Sequence, residues 1–219
     1  MGVLGVFPKD TKMKKYQIIY ADPPWQYGSK ELYGDKVYGD KVNGYKDGQR
    51  KRFAKLERIY PTMTIQDIKD LPIKNISDGN CACFMWVTDS HLKEGIDVLE
   101  SWGFKYKTVA FVWLKKYTTG TRVYNFAPWT LKSTELCLLG IKGRMSQYKT
   151  RNDIKALVEA DRTAHSKKPK EVMMRIQELF GGLEKLELFA REKTEGWDVW
   201  GNEVESDIEL EKTAPSKKE

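Results

Sequence analysis

Residues 16–25 read Tyr16-Gln17-Ile18-Ile19-Tyr20-Ala21-Asp22-Pro23-Pro24-Trp25. Apart from Gln17, the first six are apolar or aromatic with β-branched residues at the centre, the composition of a buried strand. Two consecutive prolines end it, because each fixes φ and removes a backbone N–H. A carboxylate, a stiff turn and an indole therefore follow directly on a buried strand. In an open α/β sheet, the carboxyl ends of the strands are where ligands bind.

Downstream, the pattern alternates. Thr64-x-x-Asp67 has the form of a capped start to a short helix through Asp70. Cys81–Val87 (CACFMWV) is a second apolar strand. Leu92, Ile96, Leu99 and Trp102 recur at helical spacing before Gly103, and Lys107–Leu114 and Glu135–Ile141 read as further strands. Pro169 opens a helix carrying Val172, Met173, Ile176 and Leu179 on one face, closed by Gly181-Gly182, and Leu186–Ala190 is a last strand. Strands alternating with helices predict an α/β fold with a mostly parallel central sheet flanked by helices.

Residues 28–58 break the pattern. They contain five glycines and nine basic residues, and the pentapeptide YGDKV occurs twice, at Tyr33–Val37 and Tyr38–Val42. A connection of this length is expected to be a lid, a binding loop or a disordered insert. Arg50, Lys51, Arg52 and Lys55 are its candidate phosphate contacts. The 219 residues carry a net charge of +7. Residues 203–219 hold six acids against three lysines, leaving 35 basic and 25 acidic residues, or +10, on the body. This division predicts one domain over residues 1–203, a charged disordered tail over 204–219, and a polyanionic partner.

Several classes are excluded on the same grounds. No apolar run approaches the ~20 residues of a spanning helix, so no membrane association is expected. The opening residues have no apolar core of the signal-peptide kind. Cys81, Cys83 and Cys137 are odd in number and lie in strand-like segments. They read as free core thiols in a reducing, cytoplasmic compartment. With His91 and His165 the sole histidines, no zinc-type ligand spacing exists; no metal is expected, with an all-carboxylate site left open. Trp86 and Trp113 read as core, Trp129 as core or recognition, and His165 as a structural histidine.

The chemistry suggested by Asp22–Trp25 is recognition of a planar base with an exocyclic amine. The carboxylate and the proline carbonyls are acceptors, Trp25 offers a flat face, and the adenine N6 amino group is a double donor. A proline-stiffened turn with a core tryptophan is the alternative.

YADPPW, followed by Tyr60-Pro61-Thr62-Met63, resembles the MT-A70 family of S-adenosylmethionine-dependent adenine-N6 methyltransferases. The resemblance extends through Phe84–Thr88, Trp102-Gly103-Phe104, Val112–Lys115, Glu135–Gly140, His165–Pro169, Glu187–Arg191 and Gly196–Glu203, in the family's order. It implies a Rossmann-like methyltransferase fold with the motifs in the permuted, β-class order. It implies that Asp22, Pro23, Pro24 and Trp25 are the catalytic motif. It further implies cofactor contacts at Asp22, Lys168, Glu187, Leu188, Phe189, Arg191, Asn202 and Glu203, with S-adenosyl-L-homocysteine as product.

Direct in-line methyl transfer to N6 of a flipped-out or single-stranded adenine is then expected, with Trp25 as stacking surface and Asp22 as the nearby proton acceptor. DNA is the first substrate class, RNA the alternative, and a catalytically silent nucleic-acid-binding relative the third reading. Leu131 and Ser133 stand where relatives often have Arg and Asn. No block resembles a separate target-recognition domain, so recognition falls to loops, a homodimer or a partner subunit, in a chain of bacterial or phage-like character.

Overall fold

The computed structural model describes residues 14–26, 62–125, 129–163 and 167–210. The basic loop with Arg50, Lys51, Arg52 and Lys55, as well as His165 and residues 211–219, lies outside the described residues. The strands are β1 (Tyr16–Ala21), β2 (Ser77–Val87), β3 (Lys105–Lys116), β4 (Thr134–Lys142), β5 (Leu157–Asp161), β6 (Lys185–Leu188) and β7 (Asp198–Trp200). The helices are α1 (Ile65–Lys69), α2 (Ile73–Ile76), α3 (Leu92–Ser101) and α4 (Lys170–Phe180). Thr64 caps α1 as its spacing predicts, its hydroxyl accepting from the Asp67 N–H at 3.1 Å.

The seven strands form one sheet in the order β5-β3-β4-β2-β1-β6-β7. β4 runs antiparallel to both its neighbours, and the other pairings are parallel. This is the mostly parallel, Rossmann-like α/β sheet expected. β1 lies where the order reverses, with β2 on one side and β6 on the other. Alternate residues of β1 and β2 feed two cores. Ile19, Ala21, Cys83, Met85 and Val87 pack towards α1–α3. Ile18, Tyr20, Phe84 and Trp86 pack towards α4. All three cysteines are free and buried, and Trp86 and Trp113 are core.

β5 and β7 were not anticipated. β5 is an edge strand with a single fully buried residue, Val158, and β7 is three residues long, so neither has the apolar run that marks an interior strand. The acidic segment set apart as a tail from residue 204 runs along β7 as far as Leu210. The Asp207 N–H donates to the Val199 carbonyl at 2.8 Å, and Asp207 Oδ2 accepts from the Val199 N–H at 2.9 Å. Ile208 and Leu210 pack on the core, so a short segment covers the open edge of β7. No helix among the described residues is long and apolar enough to cross a membrane.

Candidate active site

The parallel strands β1, β2, β6 and β7 end together, and the residues just past their ends line one cleft with a cavity of about 130 Å³. Asp22, Pro23, Pro24 and Trp25 come from β1. Thr88 follows β2, Phe189, Ala190 and Arg191 follow β6, and Gly201, Asn202 and Glu203 follow β7. Glu135, at the start of antiparallel β4, and Lys168, just before α4, complete the wall. The cleft thus stands at the carboxyl edge of the sheet beside its switch point, as the β1 reading requires.

Its electrostatic centre is a row of alternating charges. Lys168 Nζ lies 2.7 Å from Asp22 Oδ2 and 3.3 Å from Glu135 Oε2, and Glu135 is paired on its other oxygen with Lys115. Lys168 also lies over the ring of Trp86. Burial opposes ionisation of Glu135, but the ammoniums of Lys168 and Lys115 prevail and hold its carboxyl below the ordinary value. Burial would lower the Lys168 pKa, and the two carboxylates prevail in the other direction, raising it. Burial pushes Asp22 up, and Lys168 counters without cancelling that shift. The Asp22 carboxylate is therefore more basic than an ordinary aspartate while remaining partly open to the cleft.

The proline turn is fastened on both sides. The Pro23 carbonyl accepts from the Trp25 N–H at 2.8 Å and the Pro24 carbonyl from the Met63 N–H at 3.0 Å, leaving each one lone pair. Trp25 is only 4% exposed. Its Nε1–H donates to the Trp86 carbonyl at 3.0 Å, and its ring stacks on His91 with centroids 5.4 Å apart. The expected stacking platform is thus a packed side chain that already has an aromatic neighbour and shows the cleft little surface. Trp129, by contrast, stands 95% exposed between β3 and β4.

The ends of β6 and β7 come unusually close. A Cβ on Gly201 would lie 2.0 Å from the Ala190 carbonyl oxygen. Phe189 holds φ at +62°, the one non-glycine residue with positive φ among those described, and its ring meets Trp200 edge-on. Arg191 and Glu203 pair across the same junction at 3.5 Å. Of the candidate cofactor residues, Asp22, Lys168, Phe189, Arg191, Asn202 and Glu203 meet at the cleft. Glu187 and Leu188 lie one turn of the pleat deeper, within β6, and do not line it. Burial, with help from the charges of Asp22 and Glu192, pushes the Glu187 carboxyl up to about 7.

Sequence reasoning missed Glu135, Lys115 and His91. The signal for the first two was present: a carboxylate opens the apolar strand Glu135–Ile141, and a lysine ends the strand before it. Among the described residues, no group of three or more His, Cys, Asp or Glu side chains is arranged to hold a metal ion.

The acidic, proline-stiffened turn after β1 and the closely approaching ends of β6 and β7 thus line one cleft of an α/β sheet. Residues 16–203 match the MT-A70 family, and the chain belongs to it. It is similar to the Type II methyltransferase M.MunI of Mycoplasma sp, 39% identical over 91% of this chain and 82% of that protein. It is also similar to the N(6)-adenosine-methyltransferase MT-A70-like protein of Drosophila melanogaster, 26% identical over 89% of this chain and 28% of that protein. The N(6)-adenosine-methyltransferase catalytic subunit METTL3 of Homo sapiens is 26% identical over 87% of this chain and 28% of that protein. The chain is a methyltransferase, and methyltransferases of this family depend on S-adenosylmethionine.

Proposed function

We propose that this chain methylates the N6 amino group of adenine in DNA. The observation that carries the reading is the placement of the Asp22 carboxylate at the cleft, beside two proline carbonyls that each keep a free lone pair. An exocyclic amine is a weak nucleophile with two N–H donors, and acceptors on both would orient its lone pair. Asp22, made more basic by burial, is the group available to take the proton that N6 must lose after gaining a methyl group.

The residues opposite fit S-adenosylmethionine. The Gly201–Ala190 approach leaves no space for a side chain where the β6 and β7 backbones meet, the kind of bare backbone wall a nucleoside can lie against. Phe189 supplies an aromatic edge, Asn202 and Glu203 supply polar groups for ribose hydroxyls, and Lys168 a cation for the carboxylate. When bound, the cofactor supplies a methyl group activated by sulfonium. What the protein contributes is placement and a screened, partly dry setting, the sources of rate expected where no covalent intermediate forms.

DNA is favoured because the match to the Type II methyltransferase spans most of both chains, whereas the two N(6)-adenosine relatives are spanned over 28% of their length. The second reading, the same reaction on RNA, rests on those relatives, since adenosine is a ribonucleoside. Recognition of the target is assigned to the basic loop, with Arg50, Lys51, Arg52 and Lys55 as phosphate contacts, and to a second copy or partner subunit. Tritium transfer from labelled S-adenosylmethionine to DNA and to RNA in parallel tests the assignment. Label in DNA supports it, label in RNA alone moves the substrate to the second reading, and label in neither refutes both.

A further inference from the structure

His91 is completely buried and stacks on Trp25. It ends the single 3₁₀ turn Asp89–His91 that follows β2, and α3 starts at the next residue. Its ring lies nearly flat on the Trp25 indole, with 26° between the planes. Its Nε2 is 3.3 Å from the Gln26 carbonyl, and its Nδ1 is 2.8 Å from Thr88 Oγ1. A carbonyl can only accept, so Nε2 donates to Gln26, and Nδ1 accepts from the Thr88 hydroxyl. Burial lowers the pKa of the ring, in keeping with this neutral tautomer.

A buried histidine with both nitrogens bonded is commonly a satisfied core residue. The groups bonded here set this one apart. Trp25 and Thr88 line the cleft from β1 and from β2, and Gln26 is the residue that follows the proline turn. A single imidazole therefore ties the end of the turn to the end of the neighbouring strand by one ring contact and two hydrogen bonds. No other side chain combines a flat ring with a donor and an acceptor on opposite edges at that size. Phenylalanine keeps the ring and loses both bonds. Glutamine keeps amide polarity and loses the ring.

We propose that His91 is a positioning residue for methyl transfer: it holds the Trp25–Gln26 end of the turn against Thr88, and so sets where Pro24 presents its carbonyl to the acceptor base. The proposal rests on the reading of Asp22–Trp25 as the catalytic turn. It separates two sides of the cleft. The hydrogen bonds and ring contact described for His91 go to Thr88, Ser90, Gln26 and Trp25 and not to the ends of β6 and β7, so methyl-donor affinity is expected to be independent of it. Alignment of the acceptor amine depends on it, and an error of about 1 Å in such alignment can cost on the order of 100-fold in rate.

The test uses the full chain with His91→Phe, His91→Gln and Thr88→Val. Melting temperature and S-adenosyl-L-homocysteine binding give the fraction of folded, donor-competent molecules, and kcat is expressed per such molecule. Both His91 variants should lower that kcat at least tenfold with the S-adenosyl-L-homocysteine Kd changed less than twofold. Thr88→Val should give a smaller fall of the same kind. Hydrogen exchange supplies a readout that needs no activity: the amides of Tyr20, Ala21, Asp22, Trp25, Gln26 and Met63 should exchange faster in the His91 variants, and those of 186–203 should not. Unchanged kcat per competent molecule, or exchange that rises equally at both walls, would overturn the proposal. A wild-type chain that transfers no methyl group would refute the functional reading alone, because the exchange pattern still decides whether His91 holds the turn.

Discussion

The ammonium of Lys168 lies 2.7 Å from Asp22 Oδ2, joining side chains 146 residues apart in the chain at a point where the lysine side chain is 9% exposed. This contact ties the turn after the first strand to the start of α4, and it opposes the rise in proton affinity that burial gives Asp22.

Replacement of Lys168 by Met leaves Asp22 and Glu135 facing each other without the cation between them. Burial already raises the Asp22 pKa, and Lys168 is the largest influence opposing that rise. Its loss should move the acid limb of the kcat/KM profile to higher pH and weaken S-adenosylmethionine binding at least tenfold. Breaking a buried pair also costs on the order of 3 kcal/mol in stability. Lys168→Arg keeps the charge and should recover most of the stability but less of the donor affinity, because the planar guanidinium differs in shape. A pH–rate series on the three proteins, with melting curves, checks this; an acid limb that stays in place in Lys168→Met would contradict it.

Glu187 supplies a prediction about stability and pH. Its carboxyl titrates at about 7 in the folded protein, above the ordinary 4.5, because it is buried near Asp22. The folded state therefore binds this proton more tightly than the unfolded chain. The contribution is fully favourable below pH ~4.5, fades as pH rises towards 7, and is absent above that, a difference of about 3 kcal/mol by linkage. Glu187→Gln is neutral at every pH, so it should raise the melting temperature relative to wild type at pH 8 and leave it nearly unchanged at pH 4.5. Equal differences at both pH values would show that the charge of Glu187 is not the cause.

Gly201→Ala probes the donor wall. The new Cβ would meet the Ala190 carbonyl oxygen at 2.0 Å, with the Ala190 nitrogen at 2.7 Å, and backbone atoms cannot swing aside as a flexible side chain can. The ends of β6 and β7 must separate. S-adenosyl-L-homocysteine binding by calorimetry should weaken at least tenfold, with a lower melting temperature. Wild-type affinity would mean that this junction does not form the nucleoside wall.

Much of this arrangement was legible in the sequence, for reasons that differ from residue to residue. β1 and the turn after it carry their signal locally: a β-branched run, then two prolines that cannot continue it. α1 was legible because Thr64 and Asp67 have cap spacing, and the start of α4 because Pro169 precedes it. β5 was hidden because an edge strand buries one residue where a central strand buries most of its length, as Val158 and the run Cys81–Val87 show. Glu135 was hidden for a different reason. Its importance comes from a lysine 20 residues before it and another 33 after it, brought together by antiparallel pairing of β3 and β4 and by the approach of α4. His91 was likewise invisible, since nothing local to Asp89–His91 announces the indole it will stack on. Trp25 lies at the cleft, and its burial depends on Met63, Trp86 and His91 together, which no local pattern contains.

The central claim, methylation of adenine N6 in DNA at the Asp22 turn, is tested most directly by nucleoside analysis. DNA incubated with the protein and S-adenosylmethionine would be digested to nucleosides and resolved by chromatography with mass detection, with an Asp22→Ala protein of wild-type melting temperature as control. The account predicts N6-methyl-2′-deoxyadenosine with the wild-type protein and none with the Asp22→Ala protein. A methyl group on any other base or position, or N6 methylation that persists without the Asp22 carboxylate, would contradict it.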